Sequence, residues 1–437
     1  MRKLYFIISI LILSCTSQKE NKESVTLDDI SISYIKLALK IGQYSPDYID
    51  AYYGPEALKL KPLDSGSVKT FPAANLLNEV NILINQIEAI DTAGRDKLEK
   101  LRHEYLRSQI SSVKTYIRIK DGQNYTFDQE ALALYEARPP HFSAAHFDSL
   151  LTELDKILPG KGDVSARLEE FKKQFIIPKE KLDTVFKAAV AEARKRTMNQ
   201  MLLPEEENFE IEYVTDKPWS GYNWFKGNAY SLIQINTDLP IYIDRAIDLA
   251  CHEGYPGHHV YHLMLEKELV EKKGWMEYSV YPLFSPQAMI SEGSANYGIE
   301  VAFPGNERIE FEKTVLFPLA GLDAKKAEQY YNIEGFTKKL SYAGNEAARG
   351  YLDGKMTKEE AVAWLNKYAL MSVERAKQRI SFIEKYRSYV INYNLGKDLV
   401  KSYIERKGGT DENPEKRWEL FEDLISTPRT PSGLREQ

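Results

Sequence analysis

Residues 250–262 read ACHEGYPGHHVYH, and this stretch constrains the chain more than any other. Four of the seven histidines, His252, His258, His259 and His262, fall within eleven positions, with a Pro-Gly pair among them. Ile243, Ala246, Ile247 and Ala250 recur at helical spacing, so a helix runs into the cluster. It cannot run through it regularly: Pro256 removes an amide donor and clashes with the preceding turn, while Gly257 tolerates dihedrals that other residues avoid.

His252-Glu253 is the first half of an H-E-x-x-H pattern, in which two histidines one turn apart hold zinc and the glutamate between them polarises the attacking water. The second half is displaced. On a regular helix His258 would lie on a different face from His252, and His259 would lie about 10.5 Å along the axis, too far for one ion with bonds of about 2.0–2.1 Å. A bulge that loops out two residues at Pro256-Gly257 places His258 as second ligand, with His259 as the alternative and His262 as a supporting or core residue. Cys251 points about 100° from its helical neighbour and reads as a small buried hydrophobe.

A catalytic zinc keeps three protein ligands and an open position. Ser285-Pro286 opens a helix with a capping serine and a proline at the first position. On that helix Glu292 is followed by small residues that permit close packing. Glu292 is the candidate third ligand, Asn296 one turn on could orient a ligand, and Glu300 reads as a salt-bridge residue. A developing oxyanion needs a donor, and the 386–396 segment supplies Arg387, Tyr389 and Tyr393, among which spacing does not choose.

The N-terminus carries an address. Arg2 and Lys3 precede an apolar run over 4–13, too short to span a bilayer, so 1–14 reads as a signal peptide. Cys15 follows Ile12-Leu13-Ser14, which resembles the lipobox of bacterial lipoproteins, and the polar 15–26 stretch reads as a lipidated tether. The expected location is therefore the bacterial cell envelope, lipid-anchored and extracytoplasmic. Cys251 is the second of two cysteines, so acylation of Cys15 leaves no internal disulfide. A net charge of -6 without a basic footprint argues against nucleic acid.

Helical periodicity covers 30–42, 73–90, 97–113, 142–157, 181–198 and 358–368. Residues 209–214 and 230–236 are β-rich, separated by a turn-forming aromatic segment at 217–227. The chain is expected to be mainly α with a small β element beside the histidines. An N-terminal helical region (27–205) and a zinc-binding region (206–437) would form one fused body.

At these residues the sequence resembles a bacterial family catalogued as domain of unknown function 885, whose hallmark is H-E-x-x-P-G-H-H followed by an E-G-x-A helix. His252 to His259 match the first motif and Glu292-Gly293-Ser294-Ala295 the second, with further similarity at 48–55 (YIDAYYGP), 218–223 (PWSGYN), 235–240 (INTDLP) and 386–396. The resemblance implies a zincin-like metallopeptidase helical fold, with His252, His258 and Glu292 on Zn2+ and Glu253 as base. It leaves His258 and His259 open as alternatives. It also implies a strand near the site against which an extended peptide could pair, a role that 230–236 would permit. Many relatives carry Pro-Gly-Gln-Ala where this chain has Arg387-Ser-Tyr-Val390, so the oxyanion donor stays open.

The expected activity is zinc-dependent hydrolysis of peptides outside the cytoplasm, with a peptide or small amide as substrate and the membrane engaged through Cys15. Hydrolysis of a non-peptide amide or ester is the alternative. A catalytically silent surface-binding lipoprotein is a third, against which the intact Glu253 stands.

Overall fold

The structure is a computed structural model and describes residues 25–63 and 70–436. The expected signal segment, Cys15 and most of the tether lie outside the described residues. The molecule is 66% helix and 7% strand, hence mainly α.

The periodic segments form the helices Leu27–Tyr44, Ala73–Glu88, Lys97–Lys120, Ala144–Ile157, Leu182–Met198 and Lys358–Tyr368. Each turns an apolar stripe inward; Tyr34, Ile35, Ala38 and Ile41 of the first are fully buried. Side-chain caps fix several starts: Thr26 and Thr357 form capping boxes, and Asp96 accepts from the Glu99 amide. One apolar core draws residues from Leu27 to Leu434, and a small satellite gathers Phe147, Leu340, Ala343 and Tyr368. Among the described residues no helix is long and apolar enough to cross a membrane.

Two small sheets lie beside the histidines. β1 (Ile49–Tyr52) pairs antiparallel with a short strand at Val280–Pro282. In the second sheet β2 (Asn208–Val214) runs parallel to Tyr230–Asn236, and β3 (Gly221–Gly227) runs antiparallel to it. With Tyr230–Asn236 as β4 and Val280–Pro282 as β5, the order is β2-β4-β3. Two expectations are corrected here. The 217–227 segment is not all turn, because β3 occupies most of it, with Asn223, Phe225 and Gly227 facing in at a period of two. β4 is the central strand with both edges paired, so it has no free edge for a substrate peptide; β2 and β3 carry the edges.

The helix Pro286–Ala302 is the axis of the site. Ser285 takes its N-cap position and Pro286 its first turn, as the sequence predicts, but the Ser285 hydroxyl donates back to the Pro282 carbonyl at 2.7 Å and does not cap. This helix crosses Ile391–Arg406 where Gly293 and Gly396 meet; a Cβ on Gly293 would strike the Gly396 backbone, and one on Gly396 would strike the Met289 carbonyl of the same helix. The small residues after Glu292 thus do permit close packing, and they bring the 387–393 tyrosines onto the Glu292 face.

Candidate metal centre

The helix Asp244–Leu249 continues as a π turn over Ala250–Gly254, stops at a cis Tyr255-Pro256 bond, and restarts as His258–Leu265. The break is therefore a π turn followed by a new helix, where a two-residue bulge in one helix was expected. Gly257 donates to the Cys251 carbonyl at 2.9 Å and sits where any Cβ would strike the carbonyls of Cys251 and His252. Pro256 packs its ring against Gly298 of the Pro286–Ala302 helix. The outcome for the side chains is that His252 and His258 come ring to ring, centroids 4.7 Å apart and nearly perpendicular.

Glu292 completes the group. Its Oε2 lies 3.3 Å from His252 Nε2 and 3.7 Å from His258 Nε2, and one donor atom from each of the three residues falls within 4.8 Å of the others. Tetrahedral ligands about 2.0–2.1 Å from an ion stand about 3.3–3.4 Å apart, so these separations suit a zinc-sized ion. A second observation agrees. Glu292 Oε1 accepts from the Tyr389 hydroxyl at 2.7 Å, but its buried Oε2 takes no hydrogen bond among the described residues. A buried carboxylate oxygen left open toward two imidazole nitrogens is a donor set that could hold a cation.

The surrounding residues aim these donors. Asn296 donates its amide to the Tyr393 carbonyl at 3.0 Å, which fixes its oxygen toward His252 Nδ1 at 3.1 Å. That Nδ1 must then carry the proton, leaving the Nε2 lone pair for an ion. His258 Nδ1 and the Ser291 hydroxyl lie 3.1 Å apart, a hydrogen bond that holds the second ring in orientation. Burial works against charge on His258, but the facing Glu292 carboxylate raises its pKa to about 9. Burial likewise opposes charge on Glu292, yet His258 and His252 hold its carboxylate well below the usual range.

Glu253 is buried beside them. Its backbone carbonyl accepts from Asn223 at 2.7 Å, and its side chain reaches Gly221, where a Cβ would stand 2.9 Å from Oε1. Burial pushes its pKa up, His252 and His258 partly offset this, and the Glu292 charge adds to it. A carboxyl group so placed is a stronger proton acceptor than an exposed one.

The other sequence candidates separate clearly. His259 lies outside the trio: fully buried, it meets Ser231 Oγ through Nδ1 at 2.9 Å and Glu207 Oε2 through Nε2 at 3.3 Å, tying its helix to the sheet. His262 is buried next to it, and burial, with His258 and His259 adding, lowers its pKa to about 3. Burial pushes the Cys251 thiol up, in keeping with a packed hydrophobe. Glu300 pairs with Lys397 and Lys401, at 2.5 and 2.8 Å. Arg387 turns away from the trio to Glu130, 2.7 Å from its Nε. Tyr389 is committed to Glu292, whereas Tyr393 lays its ring 6.4 Å from that of His252, with no hydrogen bond to its hydroxyl among the described residues.

The trio, Glu253, Asn296, Tyr389 and Tyr393 line a cavity of about 900 Å³, which also takes in a residue that sequence reasoning missed. That residue is Asp50 of β1. It is hydrogen-bonded by the Tyr222 hydroxyl, and burial, with the neighbouring carboxylates Glu292 and Glu253 adding and His258 opposing, raises its pKa to about 7. Glu207, which receives His259, Tyr255 and Arg194 behind the site, was missed as well. Neither lies near the histidines in sequence, so no spacing pattern could have flagged them.

No family model matches the chain, and no curated protein matches it. Solved structures do. A candidate lipoprotein from Colwellia psychrerythraea is 14% identical, with a TM-score of 0.52 over 83% of this chain and 66% of that one. A candidate lipoprotein of unknown function from Shewanella oneidensis is also 14% identical, with a TM-score of 0.46 over 83% and 72% of the two chains. A crystal structure named BsuCP is 11% identical, with a TM-score of 0.40 over 93% and 96%. The Colwellia protein shares the mainly helical fold, and this chain spans just under two thirds of its length.

Proposed function

We propose that the chain is a zinc-dependent hydrolase of peptides, held at the bacterial envelope by lipid on Cys15. The observation that carries this reading is the convergence of His252 Nε2, His258 Nε2 and Glu292 Oε2, which takes no hydrogen bond among the described residues, with Glu253 alongside. Zinc in that place would lower the pKa of a water and polarise a substrate carbonyl. Glu253 takes the proton of the attacking water and returns it to the leaving nitrogen. The Tyr393 hydroxyl is the free donor for the developing oxyanion. Asn296, Ser291 and Tyr389 hold the three donors in orientation. The likeness of the 252–259 and 292–295 motifs to the domain-885 family supports a zincin-like site, and the candidate-lipoprotein descriptions of two structural neighbours agree with the lipobox at Cys15.

The test is metal content and cleavage of a peptide mixture by the purified full chain, beside Glu253→Gln. The proposal expects about one zinc per chain in both, and cleavage in the parent alone. A parent without stoichiometric zinc that cuts nothing refutes it. Metal with activity confined to non-peptide amides or esters would retain the chemistry and replace the substrate class.

A further inference from the structure

Three cationic side chains of the cavity, Lys338, Arg375 and Arg379, have no ion pair among the described residues, and of these Arg379 alone leaves a buried nitrogen without a partner there. Most other cavity cations are paired: Arg245 with Asp248, Arg308 with Asp248 and Glu312, Lys397 with Glu300. Arg379, on the helix Val373–Tyr386, has no ion pair among the described residues, and its buried Nε takes no partner. Its guanidinium carbon lies 5.0 Å from the Phe382 ring centre and 5.8 Å from that of Tyr393. The Tyr393 ring in turn lies 6.4 Å from the His252 ring, inclined by 26°. Tyr393 thus adjoins both the guanidinium and an imidazole of the candidate metal centre.

Aromatic faces hold the guanidinium in place but do not satisfy its five donors. Shielding it from water without an anion disfavours its charge, and its pKa is lowered for that reason. The planar fork suits one ligand class above others, a carboxylate engaged through two parallel hydrogen bonds. The spacing suits a peptide end. A terminal carboxylate lies about 4 Å from the scissile carbonyl carbon when one residue intervenes and about 7 Å when two do. Sharing Tyr393 as a neighbour keeps the guanidinium within a few residues' length of the His252 ring.

Resting on the hydrolase reading, we propose that Arg379 anchors the free carboxylate of the substrate, so that the enzyme removes one or two residues from the C-terminal end of peptides. Phe382 and Tyr386, which line the same wall, would receive the terminal side chain.

The experiment uses the full chain in detergent and two probes, N-acetyl-alanyl-phenylalanine and its C-terminal amide, with binding measured by calorimetry on metal-free protein. The acid should bind at least about tenfold more tightly than the amide, as expected for a charge-assisted pair. Arg379→Met should reduce the acid to the level of the amide. Arg379→Lys, which keeps the charge but not the fork, should retain part of the preference and serves if the methionine variant does not fold. Lys338→Met, which removes another cavity cation without an ion pair among the described residues, should leave the preference intact. Equal binding of acid and amide overturns the proposal, as does a preference that survives Arg379→Met or disappears with Lys338→Met. Cleavage by zinc-loaded protein is read separately. Acid-selective binding through Arg379 with no peptide cut leaves the anchor standing and refutes the hydrolase, whereas equal kcat/KM on acid and amide peptides refutes the anchor and leaves the hydrolase.

Discussion

At the scale of single residues, the site separates groups that would touch the reaction from groups that aim them. Glu253→Gln removes the proton acceptor but no metal donor, so kcat should fall about 10²–10⁴-fold with zinc content unchanged, measured by peptide turnover and elemental analysis. Tyr389→Phe removes the bond that holds Glu292 Oε1 and should weaken zinc binding about 10–100-fold, measured by chelator competition. The metal-free protein should show a pH signature. His258 has its pKa raised to about 9 and is therefore protonated at neutrality, so an incoming ion must displace that proton. Apparent affinity should rise with pH by up to about tenfold per unit and level off above about 9. Calorimetry in buffers of different ionisation enthalpy would read the released proton, and a pH-independent affinity would contradict the assignment. His252, Glu253 and Glu292 could be singled out from the sequence because the motif chemistry is local. Asp50 and Arg379 could not, since only the tertiary fold brings them to the cavity wall.

At the scale of elements, the broken helix decides which histidine faces Glu292. Sequence arithmetic established that a regular helix fails, since neither six nor seven residues returns a ring to its partner within bonding reach. It could not establish how the chain solves this, because π turns and proline isomers leave no periodic trace. Gly257 is where the solution is most exposed to change. Gly257→Ala should destabilise the fold by about 1–3 kcal/mol, as steric insertion into packed structure does, and should weaken zinc binding through displacement of His258. Urea unfolding and zinc titration on the same preparation would check both. The long helices were readable because their stripes repeat over many turns. Ile391–Arg406 was not, since its Asn, Gly and Tyr residues have weak helical preference and packing against Pro286–Ala302 overrides them. β3 was hidden for a related reason: its aromatic residues beside Ser, Gly and Asn resemble a turn until β4 pairs with them.

For the whole molecule, the proposed function implies two attachments: zinc inside the body and lipid outside it. A ligand that binds the folded state alone raises stability by mass action, about 2.7 kcal/mol at a hundredfold excess over Kd. The melting temperature should therefore climb with free zinc and drop on chelation, and the dependence should vanish in Glu292→Ala. Cys15→Ala should release the chain from the membrane fraction without altering its melting temperature, since the body from Leu27 onward carries the core. Fractionation of cells expressing both forms would show it.

The Gly293–Gly396 crossing has a further consequence, for the latitude of the sequence itself. Most core positions can exchange one side chain for another because neighbours repack around the change. Where two backbones touch, there is no side chain to exchange and no neighbour to yield. In a library of all single substitutions, positions 293 and 396 should therefore tolerate glycine alone, while the aromatic wall around Phe382 and Tyr386 accepts variety. Relatives that differed in substrate would be expected to diverge along that wall and to keep the crossing.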